Sequence, residues 1–580
     1  MERRLATILA ADVVGYSRLM EADEEATLAT LNAYRRFIDE RIVDHRGRVF
    51  GGAGDSVIAE FASPVEAVRC GVKIQQELAT RNAELPEDRR MQFRIGVNLG
   101  DVMAEGENLF GDGVNIAARL EQLADPGGIY VSDDIYRQVE GKVDVAFDDL
   151  GEQRVKNITK PLRVFRARLG EDMAAGALGS SEPLPLPDKP SIAVLPFTNI
   201  SGDLEQEYFS DGITEDIITD LSKVSALFVI ARNSVFTYKG RAVRVQEVSR
   251  DLGVRYVVEG SVRKSGNRVR ITAQLIDGMS GGHMWAERYD RDLTDIFALQ
   301  DEITEKIVAA LQVKLTEGEQ EQVARRYTEN LVAYDYFLRG RADQARATKE
   351  TNAQAREMFE RAIELDPNFA GAYAVLSHTY SRDWSYQWSD DTQALERASE
   401  AAKMAVTLDD SLPLAHARLA WIYLWRRQHE QAIAEVKRAI FLDPNFAEGY
   451  ARLGIILTYA GRPGEGIDLV KKAMRLDPYY PPLYLFYLGH AHYLVGQYEE
   501  AIAVLKRSFT RNPDQLPSHL DLAVIYCELG RKEEARAEVA EVLRISPRAS
   551  LEGQRERMLF KDQAVLERYL ENLRKAGLPE

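Results

Sequence analysis

Only two cysteines occur in the 580-residue chain, Cys70 and Cys527, far apart in sequence. They exclude a disulfide framework and a cysteine-based zinc site, and their scarcity suits a reducing cytoplasm. No stretch approaches the roughly 18 consecutive apolar residues of a membrane span; the richest, Leu419–Trp425, is far too short. Cations are in deficit: 74 Lys and Arg stand against 91 Asp and Glu, a formal charge of −17, which excludes gripping nucleic acid or an anionic membrane through overall charge. The eight histidines, His45, His416, His490 and His492 among them, show no metal-site spacing. What is present fits a folded chain of three or four units: 45% hydrophobic and 28% charged residues. The start, a charged Met1–Arg4 followed by apolar Leu5–Ala11, looks superficially like a signal peptide, but Asp12 interrupts the run and a buried strand is the expectation.

Residues 171–190 concentrate Gly, Ser and Pro, including Pro183, Pro185, Pro187 and Pro190, and predict an extended linker. A second transition near 316–330 leads into helical periodicity that runs to the C-terminus. There Asp443-Pro444, Asp477-Pro478, Asn512-Pro513 and Ser546-Pro547 end successive helices at intervals of 34, 35 and 34 residues, which is a repeat period. Asp366-Pro367 marks an earlier unit, followed by one with an insertion around Trp384 to Asp391. In the unit from Ala447 to Tyr480, Tyr450, Leu453 and Gly454 fall on the first helix and Ile467, Ala473 and Leu476 on the second, with Gly461 at the turn. These residues look like tetratricopeptide repeats over 330–550, with capping helices in 551–580. That resemblance implies an all-α superhelix that binds a protein or peptide; a purely structural stack or dimerisation arm is the alternative. Tyr484, Phe486, Tyr487 and Tyr493, at helical spacing, are expected in the core.

The middle region, 191–315, alternates strand and helix signals: Ser191–Phe197, then a helix opened by Asp211 or Thr214, then Leu227–Ile230, Tyr256–Gly260 and Val269–Leu275. It predicts an α/β domain. Ala193–Phe197, Phe209–Ile213, Val258–Val262 and Trp285–Tyr289 resemble the TolB-like amino-terminal domain. Asp211 and Asp216 read as helix-start acids rather than catalysts.

Chemistry concentrates in the first 170 residues. Asp12 lies where a strand, Leu9–Val14, runs into a turn, and Asp55 heads another strand, Ser56–Phe61. Carboxylates on neighbouring strands suit a hard divalent cation that also takes phosphate oxygens. Ser63-Pro-Val-Glu66 reads as a capping box before a helix with an apolar face of Val65, Val68, Val72 and Ala79. Phe93, Ile95, Val97 and Leu99 alternate in a strand expected to end at Gly100-Asp101. In Phe110–Leu120, Asn115 and Arg119 are four residues apart and share a helix face; a guanidinium among Ile116, Ala117, Ala118 and Leu120 calls for an anion. Lys156 follows a strand near the region's end.

Together these segments resemble the class III nucleotidyl cyclase catalytic domain across 1–170, which implies a ferredoxin-like α+β fold and a multidomain chain. The resemblance implies two Mg²⁺ ions, with Mn²⁺ as a substitute, held by Asp12 and Asp55. It makes Asn115 and Arg119 the ribose-orienting and transition-state residues and Lys156 a phosphate contact. It further implies a head-to-tail homodimer in which Asp12 and Asp55 face the partner's Asn115 and Arg119. The reaction implied is conversion of ATP to cyclic AMP and pyrophosphate. Two positions depart from the adenylate cyclase pattern: Gly51 stands for the adenine-contacting lysine and Asn108 for the aspartate that accepts the adenine amino group. An amide both donates and accepts, so Asn108 leaves ATP and GTP open. The other reading is a weak or inactive nucleotide-binding and dimerisation module on a repeat scaffold.

Overall fold

A computed structural model describes residues 2–580 except 15, 17–19, 21–23, 52–54, 84–89, 106–107, 140–141, 144, 146, 154–161, 168–183, 204–205, 242, 324–327, 387, 390 and 510. The chain forms two compact units, Met1–Leu178 and Gly179–Glu580.

In the first unit, β1 (Glu2–Val13) is an interior strand of a mixed sheet. It pairs antiparallel with β3 (Val57–Phe61) on one side and β4 (Phe93–Glu105) on the other. β2 (Gly47–Gly51) edges β3, and β5 (Asn108–Phe110) pairs with β4. β6 (Ile129–Ser132), β8 (Leu162–Ala167) and β7 (Phe147–Gln153) extend the other side, with the short α4 (Asp133–Val139) following β6 in the chain. The run Leu5–Ala11 is uninterrupted by polar alternation because the sheet is covered on both faces. Leu9 and Ala11 pack with α1 (Glu24–Asp44) and α2 (Pro64–Ala83), while Ala6, Ile8 and Ala10 pack towards Ala117 of α3 (Asp112–Leu123).

Three local expectations need correction. β4 does not stop at Gly100-Asp101 but pairs with β1 as far as Ala104, because the β1 ladder continues past two weak strand formers; Gly100 instead leaves room for Gly113 of α3, whose Cα lies 2.9 Å from the point a Cβ would occupy. The buried stripe of α2 is Ala67, Val68, Ile74 and Leu78, with Ala79 exposed. Ser63 Oγ accepts from the Glu66 N–H at 3.4 Å, but the Glu66 carboxylate turns to His45 (3.0 Å) and Arg69 (3.1 Å).

The second unit begins with a sheet in which β9 (Ser191–Val194) lies parallel to β11 (Phe228–Val229) and β12 (Tyr256–Ser265). β13 (Arg268–Asp277) and β14 (His283–Asp292) continue it antiparallel, and β10 (Thr198–Asn199) joins β12. Its helix α5 (Glu207–Ser222) starts before both expected caps. Asp211 is therefore interior and accepts from Lys239 Nζ at 2.7 Å, while Thr214 Oγ1 accepts the Phe197 N–H at 2.9 Å. Asp216 is buried, accepting from Gln300 at 2.9 Å and from Tyr334. Its partners are remote in sequence, so a helix-start reading was all that local pattern offered. Two further helices, α6 (Arg232–Phe236) and α7 (Val245–Leu252), pack beside this sheet, and α8 (Ile296–Ala310) and α9 (Glu317–Val323) lead out of it.

Paired helices follow: α10 (Leu331–Ala345) with α11 (Lys349–Leu365), α12 (Ala370–Tyr386) with α13 (Ala394–Leu408), α14 (Pro413–Trp425) with α15 (His429–Leu442), and α16 (Ala447–Tyr459) with α17 (Pro463–Leu476). α18 (Pro482–Leu494) with α19 (Tyr498–Phe509) and α20 (Leu516–Glu528) with α21 (Lys532–Ile545) complete the stack. Gly461 adopts φ +86° at its turn, and Tyr484, Phe486, Tyr487 and Tyr493 are buried. The Asp-Pro corners also seat the preceding sheet: Asp443 accepts from Ser222 Oγ (2.8 Å), Asn445 from the Val229 N–H (3.2 Å) and Asp477 from Ser234 Oγ. Finally α22 (Leu551–Arg557) and α23 (Gln563–Ala576) close the stack, Tyr569 donating to Asp521 at 2.8 Å. Among the described residues no helix is long and apolar enough to cross a membrane.

Candidate active site

The β1–β3 register aligns Ala11 with Val57, so the end of β1 and the approach to β3 lie side by side. Asp12 and Asp55 meet there: their carboxyls are in hydrogen-bond contact, and burial first, then the Asp12 charge and that contact, raise the Asp55 pKa above its ordinary value. Both side chains are partly exposed. Two like charges so placed are stable together only with a proton or a cation between them.

Two further residues join the pair. Arg94 sits opposite Asp12 in the β1–β4 register, its Nη2 3.3 Å from Asp12 Oδ2 and 3.2 Å from Glu121 Oε1. Glu121, from α3, is 6% exposed; burial and repulsion from Asp12 and Asp55 push it up to about 7 despite Arg94. Glu121 Oε1 and Arg94 Nε have no aligned hydrogen-bond partner among the described residues. Three carboxyls thus share one guanidinium. The sequence reading missed both residues, since neither the cross-strand register nor the rotation of α3 is visible in local pattern.

α3 lies flat on the sheet because Gly96 and Gly100 leave no side chain beneath it: a Cβ on Gly96 would fall 2.2 Å from the Ala117 carbonyl oxygen. Asn98 Nδ2, buried, donates to the Gly113 carbonyl at 3.1 Å and fixes the helix start, and Gly111 takes φ +127° just before it. On this helix Asn115 is exposed, and Arg119 is half-buried and donates to Gln122 Oε1 at 2.6 Å. At about 100° per residue, Arg119 and Asn115 lie roughly 160° and 120° around the axis from Glu121. The structure therefore brings Asp12, Asp55, Arg94 and Glu121 together, and turns Asn115 and Arg119 away from them.

Gly51 is aligned with Ile58 at the end of β2, and Asn108 with Glu105 where β5 returns along β4; the Asn108 side chain and Lys156 lie outside the described residues. No group of three or more His, Cys, Asp or Glu side chains arranged to hold a metal occurs among the described residues. The Asp12–Asp55 oxygen pair nonetheless fits Mg²⁺ or Mn²⁺, which use one or two carboxylates and complete the shell with water and phosphate, and the crowding of Glu121 marks a place short of positive charge.

Residues 2–166 match the family model described as the adenylate and guanylate cyclase catalytic domain. Residues 188–306, where the sequence resembles a TolB-like domain, match the second domain of HilA/YgeH-like transcriptional regulators, and 492–552 match a tetratricopeptide repeat model. A provisionally named adenylate cyclase 3 from Rhizobium meliloti (strain 1021) is 52% identical over 441 residues, 74% of this chain and 74% of that protein. A solved adenylate/guanylate cyclase/hydrolase from Silicibacter pomeroyi is 45% identical, covering 29% of this chain and 98% of that one, with a TM-score of 0.27. The chain belongs to the class III adenylate and guanylate cyclases, an enzyme family, here joined to a tetratricopeptide-repeat region.

Proposed function

We propose that the chain is a cytoplasmic nucleotidyl cyclase that forms cyclic AMP and pyrophosphate from ATP, with GTP as the competing substrate. The division of labour is a catalytic domain at 1–170, a linker at 171–190, an α/β domain at 191–315, repeats at 330–550 and capping helices at 551–580, the repeats sensing a protein partner. The observation that carries the reading is the contact of the Asp12 and Asp55 carboxyls where β1 ends and β3 begins, with a third carboxyl behind them.

Asp12 and Asp55 would hold Mg²⁺. Bound there, the ion supplies Lewis-acid chemistry, acidifying the ribose 3′-hydroxyl and neutralising phosphate charge. Arg94 spans Asp12 and Glu121 and keeps the first turned towards Asp55. Asn115 orients the ribose so that its oxygen lies in line with the α-phosphorus, and Arg119 donates to the α-phosphoryl oxygens as charge builds on them. Lys156 contacts the departing phosphates. The rotation of α3 sends Asn115 and Arg119 away from their own chain's carboxylates, which supports a homodimer whose sites each take the acids from one copy and the Asn–Arg pair from the other. Gly51 removes a cation from the base site, and Asn108 accepts or donates, so purine discrimination falls by about 1–3 kcal/mol for each lost contact.

The test is cyclic nucleotide formation by the purified full chain with Mg²⁺ or Mn²⁺ and ATP or GTP in separate reactions. Product from the wild type and none from Asp55→Ala supports the reading. No product from either nucleotide with either metal would make the domain a nucleotide-binding and dimerisation module.

A further inference from the structure

One stretch of the repeats carries more positive charge than its own residues balance. α12, α14 and α16 are the first helices of three successive pairs, and they touch through charged side chains. Arg418 of α14 and Arg452 of α16 both donate to one oxygen of Glu448, at 2.7 and 2.8 Å. Arg452 also lies over the Trp421 ring, 4.7 Å from its centroid. Arg382 of α12 donates to the Gln344 carbonyl at 3.0 Å, and its charge reaches Arg418 and Glu448. Three guanidinium groups therefore share one carboxylate.

The neighbouring groups leave that excess in place. Asp383, next in sequence to Arg382, is taken by Arg356 and Asn352. His378 stands in the field of all three arginines; burial and those charges hold it well below its ordinary pKa, so it stays neutral. Arg418 and Arg452 are each 8% exposed, and Arg418 Nε, Arg452 Nη1 and His378 Nδ1 have no hydrogen-bond partner among the described residues. An arginine does not escape burial by losing its proton, so an uncompensated one persists only where an anion meets it.

Glu580 pairs with Arg574. The segment that returns along the stack seats Leu559 on His429 and Lys561 on Tyr459, and Phe560 stacks on His490, 5.5 Å between centroids. Its hydrogen bonds go to Arg427, His429, Glu430 and Tyr459, and none among the described residues goes to Arg382, Arg418 or Arg452. Stacked helix pairs build an extended concave surface along which a partner chain can lie.

We propose that Arg382, Arg418 and Arg452 form a binding site for an acidic peptide segment of a partner protein, two of whose carboxylates meet the two unbalanced charges. This rests on the partner-sensing role of the repeats and gives that partner a chemistry. Arg382, partly buried and the least enclosed of the three, makes the first contact; Arg418 and Arg452, held by Glu448 and Trp421, supply preorganised donors deeper in.

The experiment uses the full chain and fluorescently labelled hexaglutamate, with hexaglutamine and inorganic pyrophosphate as comparison ligands. Hexaglutamate is expected to bind saturably and to weaken with added salt, hexaglutamine not to bind, and Arg382→Gln to cut affinity about tenfold at a melting temperature no lower than the wild type's. A second variant, His378→Glu, sets a carboxylate among the three arginines; it should raise the melting temperature of the free protein and abolish hexaglutamate binding. Equal hexaglutamate affinity in wild type, Arg382→Gln and His378→Glu overturns the site. Pyrophosphate binding that Arg382→Gln weakens, without hexaglutamate binding, overturns the peptide assignment in favour of a small anion. If His378→Glu stabilises but hexaglutamate fails, the acidic-peptide chemistry falls while partner sensing by the repeats stands; a melting temperature lowered by His378→Glu removes the charge excess itself.

Discussion

Asp55 and Asp12 share so small a volume that ionising both costs folding energy. Burial and its neighbour raise the Asp55 pKa, so its contribution to stability is present when protonated and is lost as pH climbs from the unfolded carboxyl's value through the folded one. Asp55→Asn should therefore raise the melting temperature in chelator at neutral pH, and should erase the further rise that Mg²⁺ gives the wild type. A variant that melts lower in chelator and still responds to Mg²⁺ would contradict the pairing. Glu121 obeys the same sign over a wider window, from 4.5 to about 7. In chelator, the wild type should lose about 3 kcal/mol across that range relative to Glu121→Gln, read from denaturant titrations at several pH values. Parallel pH profiles would show that Glu121 is ionised without strain. Asp12 and Asp55 were legible in the sequence because an acid at the end of an apolar strand is costly anywhere but at a site. Glu121 and Arg94 were not, because an Arg in a strand and a Glu on a helix are ordinary until the register places them 3.2 Å apart.

Among the elements, α3 and β4 matter most. The helix carries Asn115 and Arg119 outward and Glu121 inward, and its height above the sheet is set by two glycines. Gly96→Ala would drive a methyl to within 2.2 Å of a backbone oxygen that cannot turn aside. The expected cost is about 3 kcal/mol in denaturant unfolding of the first unit, with cyclase activity falling further than stability because both faces of α3 shift. A loss below about 0.5 kcal/mol would mean the helix floats free of the sheet. Alternation and repeat period announced most strands and helices, including the buried β1. Element ends were harder to read: β4 runs through Gly100-Asp101 because pairing with β1 outweighs two weak strand formers, and α5 begins upstream of Asp211 because it is held by burial rather than by a cap.

Across the whole chain, the sheet of β9 to β14 and the repeats form one unit, seated through Asp443, Asn445 and Asp477. Helix-ending Asp-Pro corners were readable from their spacing. Their second use as acceptors for Ser222, the Val229 N–H and Ser234 was not, since those partners lie more than 200 residues away. The catalytic account rests on acids and the Asn–Arg pair coming from different copies of the chain. The direct test mixes two inactive homodimers, one carrying Asp12→Asn and Asp55→Asn, the other Asn115→Ala and Arg119→Ala, and measures cyclic nucleotide after subunit exchange. Recovery in the mixture, from parents that have none, is predicted, because each mixed dimer rebuilds one intact site; activity in either parent alone, or none in the mixture beside an active wild type, would contradict the account.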